Sequence, residues 1–270
     1  MSIIDLLIYI ILGLVQGFTE PIPISSSGHL VIFKNLFDIN ALKDLNFEIF
    51  VNFGSLIAII IVFWKDIKIL IIDFFKYLKN KDVKYYNNFK YCLLIIIGTI
   101  PAGILGLLLK DYVEQFSNNI KLIGLALLIT ALFLFLIRNI KGSKDDSKIS
   151  FKDALKIGLF QAVALLPGIS RSGATIVGGM FSNLKRETAF KFSFMLYIPI
   201  SLATMLLGTK DLISSNLNLY MWIYYLAGMI ASAILTFFSV KWFKNIMNKG
   251  KLIYFVYYCL IVGTLVLIFM

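Results

Sequence analysis

The sequence predicts an all-α polytopic membrane protein, with six transmembrane helices and two re-entrant helical hairpins arranged as two repeats of inverted topology. Three observations carry that reading. Of the 270 residues, 59% are hydrophobic and 15% charged, and the mean hydropathy is +0.87, against roughly 45–50% apolar and about 25% charged in an ordinary soluble domain. Apolar runs close to the roughly 20 residues that a bilayer-spanning helix needs recur along the chain. Two further apolar stretches are interrupted, and they resemble each other. A soluble globule could not bury so much apolar side chain, and a disordered chain would need the opposite composition.

The first interrupted stretch runs from Ile3 to about Phe33 and breaks at Glu20-Pro21-Ile22-Pro23. Each of its halves is too short for a comfortable crossing, which favours a re-entrant hairpin over a kinked spanning helix. Its beginning carries Asp5 and no basic region, so it is expected to belong to the working protein rather than to a cleaved signal peptide. Spans are expected at Phe47–Trp64, Phe89–Leu109 and Ile120–Ile137, with an interfacial helix in Lys65–Lys84, which is basic and apolar by turns. The second interrupted stretch, Phe151 to about Met180, breaks at Pro167-Gly168. Spans at Glu187–Leu207, Leu219–Phe243 and Leu252–Met270 follow. All of this reads as one membrane domain, 1–270, with repeat one over about 1–140 and repeat two over about 145–270. Cys92 and Cys259 lie far apart inside apolar segments, as core residues rather than a disulfide or a metal site.

The formal charge of +11 is a matter of topology, not of nucleic-acid binding. Nineteen Lys and Arg fall in 65–90, 138–152, 182–191 and 241–251, and five in the alternating regions 1–46, 110–121 and 209–218. The positive-inside rule puts the first set in the cytoplasm, both chain ends outside, and the two hairpins entering from opposite faces. The repeat is also written in the residues. Gly13-Leu14-Val15-Gln16 and Ile24-Ser25-Ser26-Ser27-Gly28 align, 145 residues on, with Gly158-Leu159-Phe160-Gln161 and Ile169-Ser170-Arg171-Ser172-Gly173, and seven of the nine positions are identical. Inverted repeats bring broken helices together near the midplane and build the site there.

Ionisable groups inside a membrane cost about 2.5–3.5 kcal/mol each and mark functional sites. Glu20, His29 and Arg171 are the three well away from the expected interfaces, and all lie at the two breaks. Gln16 and Glu20 share a helix face four residues apart, as oxygen ligands for Mg²⁺ or Ca²⁺. Ser25, Ser26 and Ser27 open one helix, and Ser170 and Ser172 flank Arg171 at the start of another. Free N–H groups, hydroxyls and a guanidinium fork together favour a phosphate or diphosphate. Arg171 is assigned to the phosphate oxygens, with the serines adding hydrogen bonds. Three nucleophiles remain open: Ser26 activated by His29, His29 itself, or a water activated by His29 or the metal.

Gln16-x-x-x-Glu20 followed by Pro-Ile-Pro-Ile-Ser-Ser-Ser-Gly-His29, and Pro167-Gly-Ile-Ser-Arg-Ser-Gly-Ala-Thr175, resemble the motifs of the bacterial undecaprenyl-diphosphate phosphatase family of the bacitracin-resistance type, over essentially the whole chain. The resemblance implies a multi-pass enzyme of the bacterial plasma membrane, active toward its outer side. Its reaction would hydrolyse the C55 isoprenyl diphosphate to the monophosphate and phosphate, recycling the peptidoglycan lipid carrier. It also carries over Glu20, Ser26, His29 and Arg171 as functional residues; Gln16 stands where the family admits Glu or Gln, which weakens a metal role there. The expected partners are a long-chain isoprenyl diphosphate and the bilayer, with no nucleic acid; the oligomeric state is not fixed by the sequence, and a homodimer is compatible with it. The rival reading is a secondary transporter or flippase of a lipid phosphate, which would need a two-sided pathway and no nucleophile.

Overall fold

The computed structural model describes residues 2–37, 45–214 and 218–270, which form twelve α-helices. Among the described residues there is no β-strand, only an isolated bridge between Lys144 and Leu184. The first interrupted stretch becomes α1 (Ile3–Thr19) and α2 (Ser26–Phe37). Then come α3 (Leu45–Val62), α4 (Trp64–Asn80), α5 (Val83–Leu108), α6 (Lys110–Ser117) and α7 (Ile120–Ile137). The second interrupted stretch gives α8 (Phe151–Val163) and α9 (Arg171–Phe181), followed by α10 (Arg186–Ser214), α11 (Leu219–Lys249) and α12 (Ile253–Phe269).

Four described helices are long and apolar enough to cross a membrane: Val83–Leu108, Ile120–Ile137, Arg186–Gly208 and Leu219–Lys249. The protein is therefore a multi-pass helical membrane protein. The expected spans over Phe47–Trp64 and Leu252–Met270 are shorter apolar helices. Helix ends follow caps rather than the edges of apolar runs. Asp82 accepts from Lys84 N, so α5 starts six residues before Phe89, and α11 continues past Phe243 to a left-handed Gly250 (φ 69°). Pro101 and Pro199 lie inside α5 and α10, as spanning helices tolerate.

Close helix approaches rest on small residues. α1 packs on α11, where a Cβ on Gly13 would stand 2.2 Å from the Gly228 carbonyl oxygen. α8 packs on α5, where a Cβ on Gly158 would stand 2.5 Å from the Gly98 carbonyl oxygen. α7 and α12 pack on each other across Gly124 and Gly263. Lipid offers no hydrophobic drive between helices, so association depends on such backbone contact and on interhelical hydrogen bonds. Buried Ser55 on α3 lies 3.0 and 2.9 Å from Ser232 and Thr236 of α11, and Thr236 donates to the Gly17 carbonyl of α1 at 3.1 Å.

A layer of aromatic rings fills the interior between α3, α10 and α11. Phe194 lies 4.6 Å from Phe190 and 5.5 Å from Phe63 between ring centroids, and Phe190 lies 5.5 Å from Phe243. On one side, Phe194 borders a void of about 10 Å³ shared with Glu20 and Arg171. On the other, Phe63 and Phe190 wall a charged cavity of about 520 Å³ whose rim carries Asp66, Asp146, Lys191 and Lys244.

Candidate active site

Both helix breaks are dictated locally. Glu20 N–H still donates to the Gln16 carbonyl at 2.9 Å, but Pro21 and Pro23 have no N–H to continue α1. The chain turns back through Ser25, which sits at φ 68°, and its Oγ accepts from Gly28 N at 3.2 Å, capping α2. The second break turns at Gly168 (φ 94°), and Ser170 Oγ accepts from Gly173 N at 3.1 Å, capping α9. The tips touch. Gly168 N donates to Ser25 Oγ at 3.1 Å, and a Cβ on Gly28 would come within 3.0 Å of Gly168 Cα. On α7, Thr130 braces the second tip: its Oγ1 donates to the Gly168 carbonyl at 3.1 Å and accepts from Ser170 N at 3.2 Å.

Glu20 is the hub where the two breaks meet. Its Oε1 accepts from Arg171 Nη2, and its Oε2 accepts from Ser26 Oγ and, at 2.9 Å, from Gln16 Nε2. The same Gln16 amide donates to Asn52 Oδ1 of α3 at 2.9 Å. Arg171 Nη1 donates to Ser201 Oγ of α10 at 3.2 Å, and the guanidinium stacks on Tyr197, its carbon 3.9 Å from the ring centroid. Tyr197 is held in turn by donating to the Asn52 carbonyl at 3.2 Å.

These groups face a cavity of about 270 Å³. Its polar wall is Glu20, the serines at 25 to 27, Asn52, Ser170, Arg171 and Ser201; Phe53, Leu165 and Met205 are among the apolar side chains opposite. Of the residues singled out in the sequence, Glu20, Ser25, Ser26, Ser27, Ser170 and Arg171 therefore line one space. Gln16 is buried behind Glu20. Ser172 faces the small void behind Arg171, with its Oγ 3.4 Å from the Ile22 carbonyl. His29 stands apart from the cavity. Its Nδ1 is 2.7 Å from the Ser25 carbonyl oxygen and its Nε2 is 2.7 Å from Tyr258 Oη of α12, so both ring nitrogens are engaged away from Ser26 Oγ. The oxygen next to Ser26 is a carboxylate oxygen of Glu20, and not an imidazole nitrogen.

Sequence reading missed Asn52, Tyr197, Ser201 and Tyr258. Each is an uncharged polar residue within an apolar run, and that position is the one signal they offer. Among the described residues no group of three or more His, Cys, Asp or Glu gathers as a metal cage. The oxygens near Glu20 are its own carboxylate and the neutral Asn52 and Ser26 side chains, whereas Gln16 turns its amide nitrogen to both Glu20 and Asn52 and so offers no oxygen ligand there. That set suits Mg²⁺, which commonly takes one or two carboxylates and leaves its other positions to water and substrate phosphates.

The family model described as bacitracin resistance protein BacA matches residues 9–265. The chain belongs to the BacA family. The chain is 48% identical over 263 residues to undecaprenyl-diphosphatase 2 of Bacillus thuringiensis (strain Al Hakam), covering 97% of each chain. It is 47% identical over 270 residues to undecaprenyl-diphosphatase 1 of Bacillus licheniformis, covering 100% of each. The undecaprenyl-diphosphatase of Oceanobacillus iheyensis is 46% identical over 264 residues, with 97% of this chain and 96% of that protein covered.

Proposed function

We propose that this BacA-family protein is an undecaprenyl-diphosphatase in which Ser26 is the nucleophile, Glu20 its base and Arg171 the phosphate clamp. The observation that carries the reading is that one carboxylate, Glu20, takes both the Ser26 hydroxyl and the Arg171 guanidinium in a cavity bounded by two helix N-termini. A diphosphate entering that cavity competes with Glu20 for Arg171, whose fork matches two phosphoryl oxygens. The N–H groups at the starts of α2 and α9 add donors to the same anion. Glu20, released from the ion pair, accepts the Ser26 proton as Oγ attacks the terminal phosphorus in line. The bond from that phosphorus to the bridging oxygen breaks. The lipid monophosphate leaves with the electron pair and, being a stabilised anion, needs no acid. Glu20 gives up the Ser26 proton to solvent, then takes a proton from the water that cleaves the phosphoserine and passes it to the departing Ser26 Oγ, which releases inorganic phosphate and restores the hydroxyl. A divalent cation held by Glu20 with Asn52 would neutralise diphosphate charge. His29 takes no proton from Ser26 in this scheme, since both its nitrogens are spent elsewhere.

The apolar side of the cavity, with Phe53, Leu165 and Met205, suits the first isoprene units of the lipid. The cavity wall draws on the N-terminal half of α3 and the C-terminal part of α10, which are the outward ends of both helices in the orientation set by the basic loops. That supports a site open to the outer side of the plasma membrane. The full architecture, with crossings by α3, α5, α7, α10, α11 and α12 and re-entrant hairpins α1–α2 and α8–α9, is supported by the packing. Gly13 and Gly158, 145 residues apart, make equivalent backbone contacts on α11 and α5, and α7 and α12 meet each other, as two inverted repeats require. Phosphate release from a purified long-chain isoprenyl diphosphate tests the function. Wild type should release one phosphate per lipid, and Ser26→Ala should lose at least about a thousandfold. Turnover of Ser26→Ala close to wild type would overturn the nucleophile, and movement of lipid phosphate across vesicles without phosphate release would favour a flippase.

A further inference from the structure

We infer that Tyr258 is a positioning residue for the Ser26 hydroxyl, acting through His29; this rests on the reading of Ser26 as nucleophile. The chain of contacts has a fixed polarity. A carbonyl oxygen only accepts, so the His29 nitrogen 2.7 Å from the Ser25 oxygen, Nδ1, carries the ring proton. Nε2 of the neutral ring is then an acceptor, and the Tyr258 hydroxyl 2.7 Å away is its donor. His29 also donates its backbone N–H to the same Ser25 oxygen at 3.2 Å. That oxygen is thus gripped twice by one residue.

The grip reaches the nucleophile by covalent geometry. The Ser25 carbonyl and the Ser26 N–H belong to one planar peptide unit, so fixing the oxygen fixes the plane from which Ser26 Cα projects its hydroxyl toward Glu20. Ser25 needs such a restraint because it holds φ 68°, a backbone region disfavoured for any residue with a Cβ. His29 is 6% exposed, and its ring lies 5.5 Å from that of Tyr258 with the planes only 14° apart. The next residue on α12, Cys259, lies against the Pro23 carbonyl with Sγ at 4.0 Å, so α12 braces the first break on both sides of its turn. Thr130 of α7 does the same for the second break. Each tip of the site is therefore held by a hydroxyl from a helix outside the hairpins.

The test is Tyr258→Phe, which keeps the stacked ring and removes only the hydroxyl. Phosphate release from a long-chain isoprenyl diphosphate should fall about tenfold in kcat, with KM within twofold of wild type and the melting temperature of the solubilised protein unchanged. In a His29→Ala background the same substitution should change kcat no further, because its effect passes through the imidazole. Wild-type kcat in Tyr258→Phe, a loss confined to KM, or an equal further loss in the His29→Ala background would each overturn the proposal. Where His29→Ala alone leaves no measurable turnover, the kcat of Tyr258→Phe decides. Ser26→Ala is assayed alongside. Full activity there sinks the nucleophile assignment, whereas an inactive Ser26→Ala beside an unaffected Tyr258→Phe sinks only the positioning role.

Discussion

Replacing Arg171 with lysine separates the guanidinium fork from its charge. In the resting site the fork spends Nη2 on Glu20 and Nη1 on Ser201, and its flat face lies 3.9 Å above Tyr197. The Glu20 side chain is only 7% exposed. Arg171→Ala would strand that carboxylate, at a cost of about 3–5 kcal/mol in stability. A lysine ammonium still neutralises it, so Arg171→Lys is expected to insert, purify and melt within a few degrees of wild type. It cannot present two parallel donors to a phosphoryl group. Loss of one preorganised donor to transition-state charge is worth about 10²–10³ in kcat, or about 2.7–4 kcal/mol. The lost stack, about 0.5–2 kcal/mol, acts on bound substrate as well and adds a several-fold rise in KM. The assay is initial-rate phosphate release in detergent over a range of isoprenyl diphosphate, with tryptophan-fluorescence melts of the same samples. A kcat for Arg171→Lys within threefold of wild type would refute the fork. A melt as poor as that of Arg171→Ala would refute the separation of fork from charge.

Three further outcomes are expected. Excess EDTA should stop phosphate release and Mg²⁺ restore it, while Glu20→Gln should stay inactive at any Mg²⁺ concentration because it has also lost the base; full activity in EDTA would remove the cation. Single cysteines at Asn118 and Asn218, in a background lacking Cys92 and Cys259, should react with an impermeant thiol reagent on intact cells, and those at Ser143 and Asn248 only after permeabilisation; the opposite pattern would reverse the orientation. Burial pushes the Asp153 carboxyl up, but hydrogen bonds from Lys144 and Ser150 outweigh it and hold the group below its ordinary value. A carboxylate lowered on folding stabilises above its unfolded pKa of about 3.9 and loses that contribution as pH falls through the folded value. Melts of Asp153→Asn should accordingly lie below wild type at pH 7, with the gap closing below about pH 4; a gap that persists in acid would place the effect in packing.

Glu20 and Arg171 were legible in the sequence because a charge in an apolar stretch is too costly to be there without a partner, and the repeat of Ile-Ser-x-Ser-Gly pointed to where the partners would meet. His29 stood out by the same logic, yet residue type gives no direction. Once Ser26 begins a helix, the imidazole four positions after Ser25 falls onto the Ser25 carbonyl, and α12 supplies the other contact from 229 residues away. Asn52, Tyr197 and Ser201 were not legible. Uncharged polar groups within spans are ordinary interhelical glue, and what brings these three to Arg171 is the packing of α3 and α10 beside the breaks, which no local pattern encodes. The helix limits were read from hydropathy and so missed the polar turns that Asp82 and Gly250 cap.

The ring layer of Phe63, Phe190 and Phe194 has an electrical consequence. The proposed hydrolysis needs water in the 270 Å³ cavity, and among the described residues that layer and a void of about 10 Å³ lie between the groups lining this cavity and those lining the 520 Å³ one. Each elementary charge driven through 100 mV releases about 2.3 kcal/mol, so a continuous thread of water between the two would dissipate the cell's proton-motive force. Rings at 4.6 to 6.2 Å centroid spacing offer such a thread neither room nor hydrogen bonds. In the proposed architecture, the ring layer thus lets a polar, charged cavity sit inside the bundle with no water path through these rings.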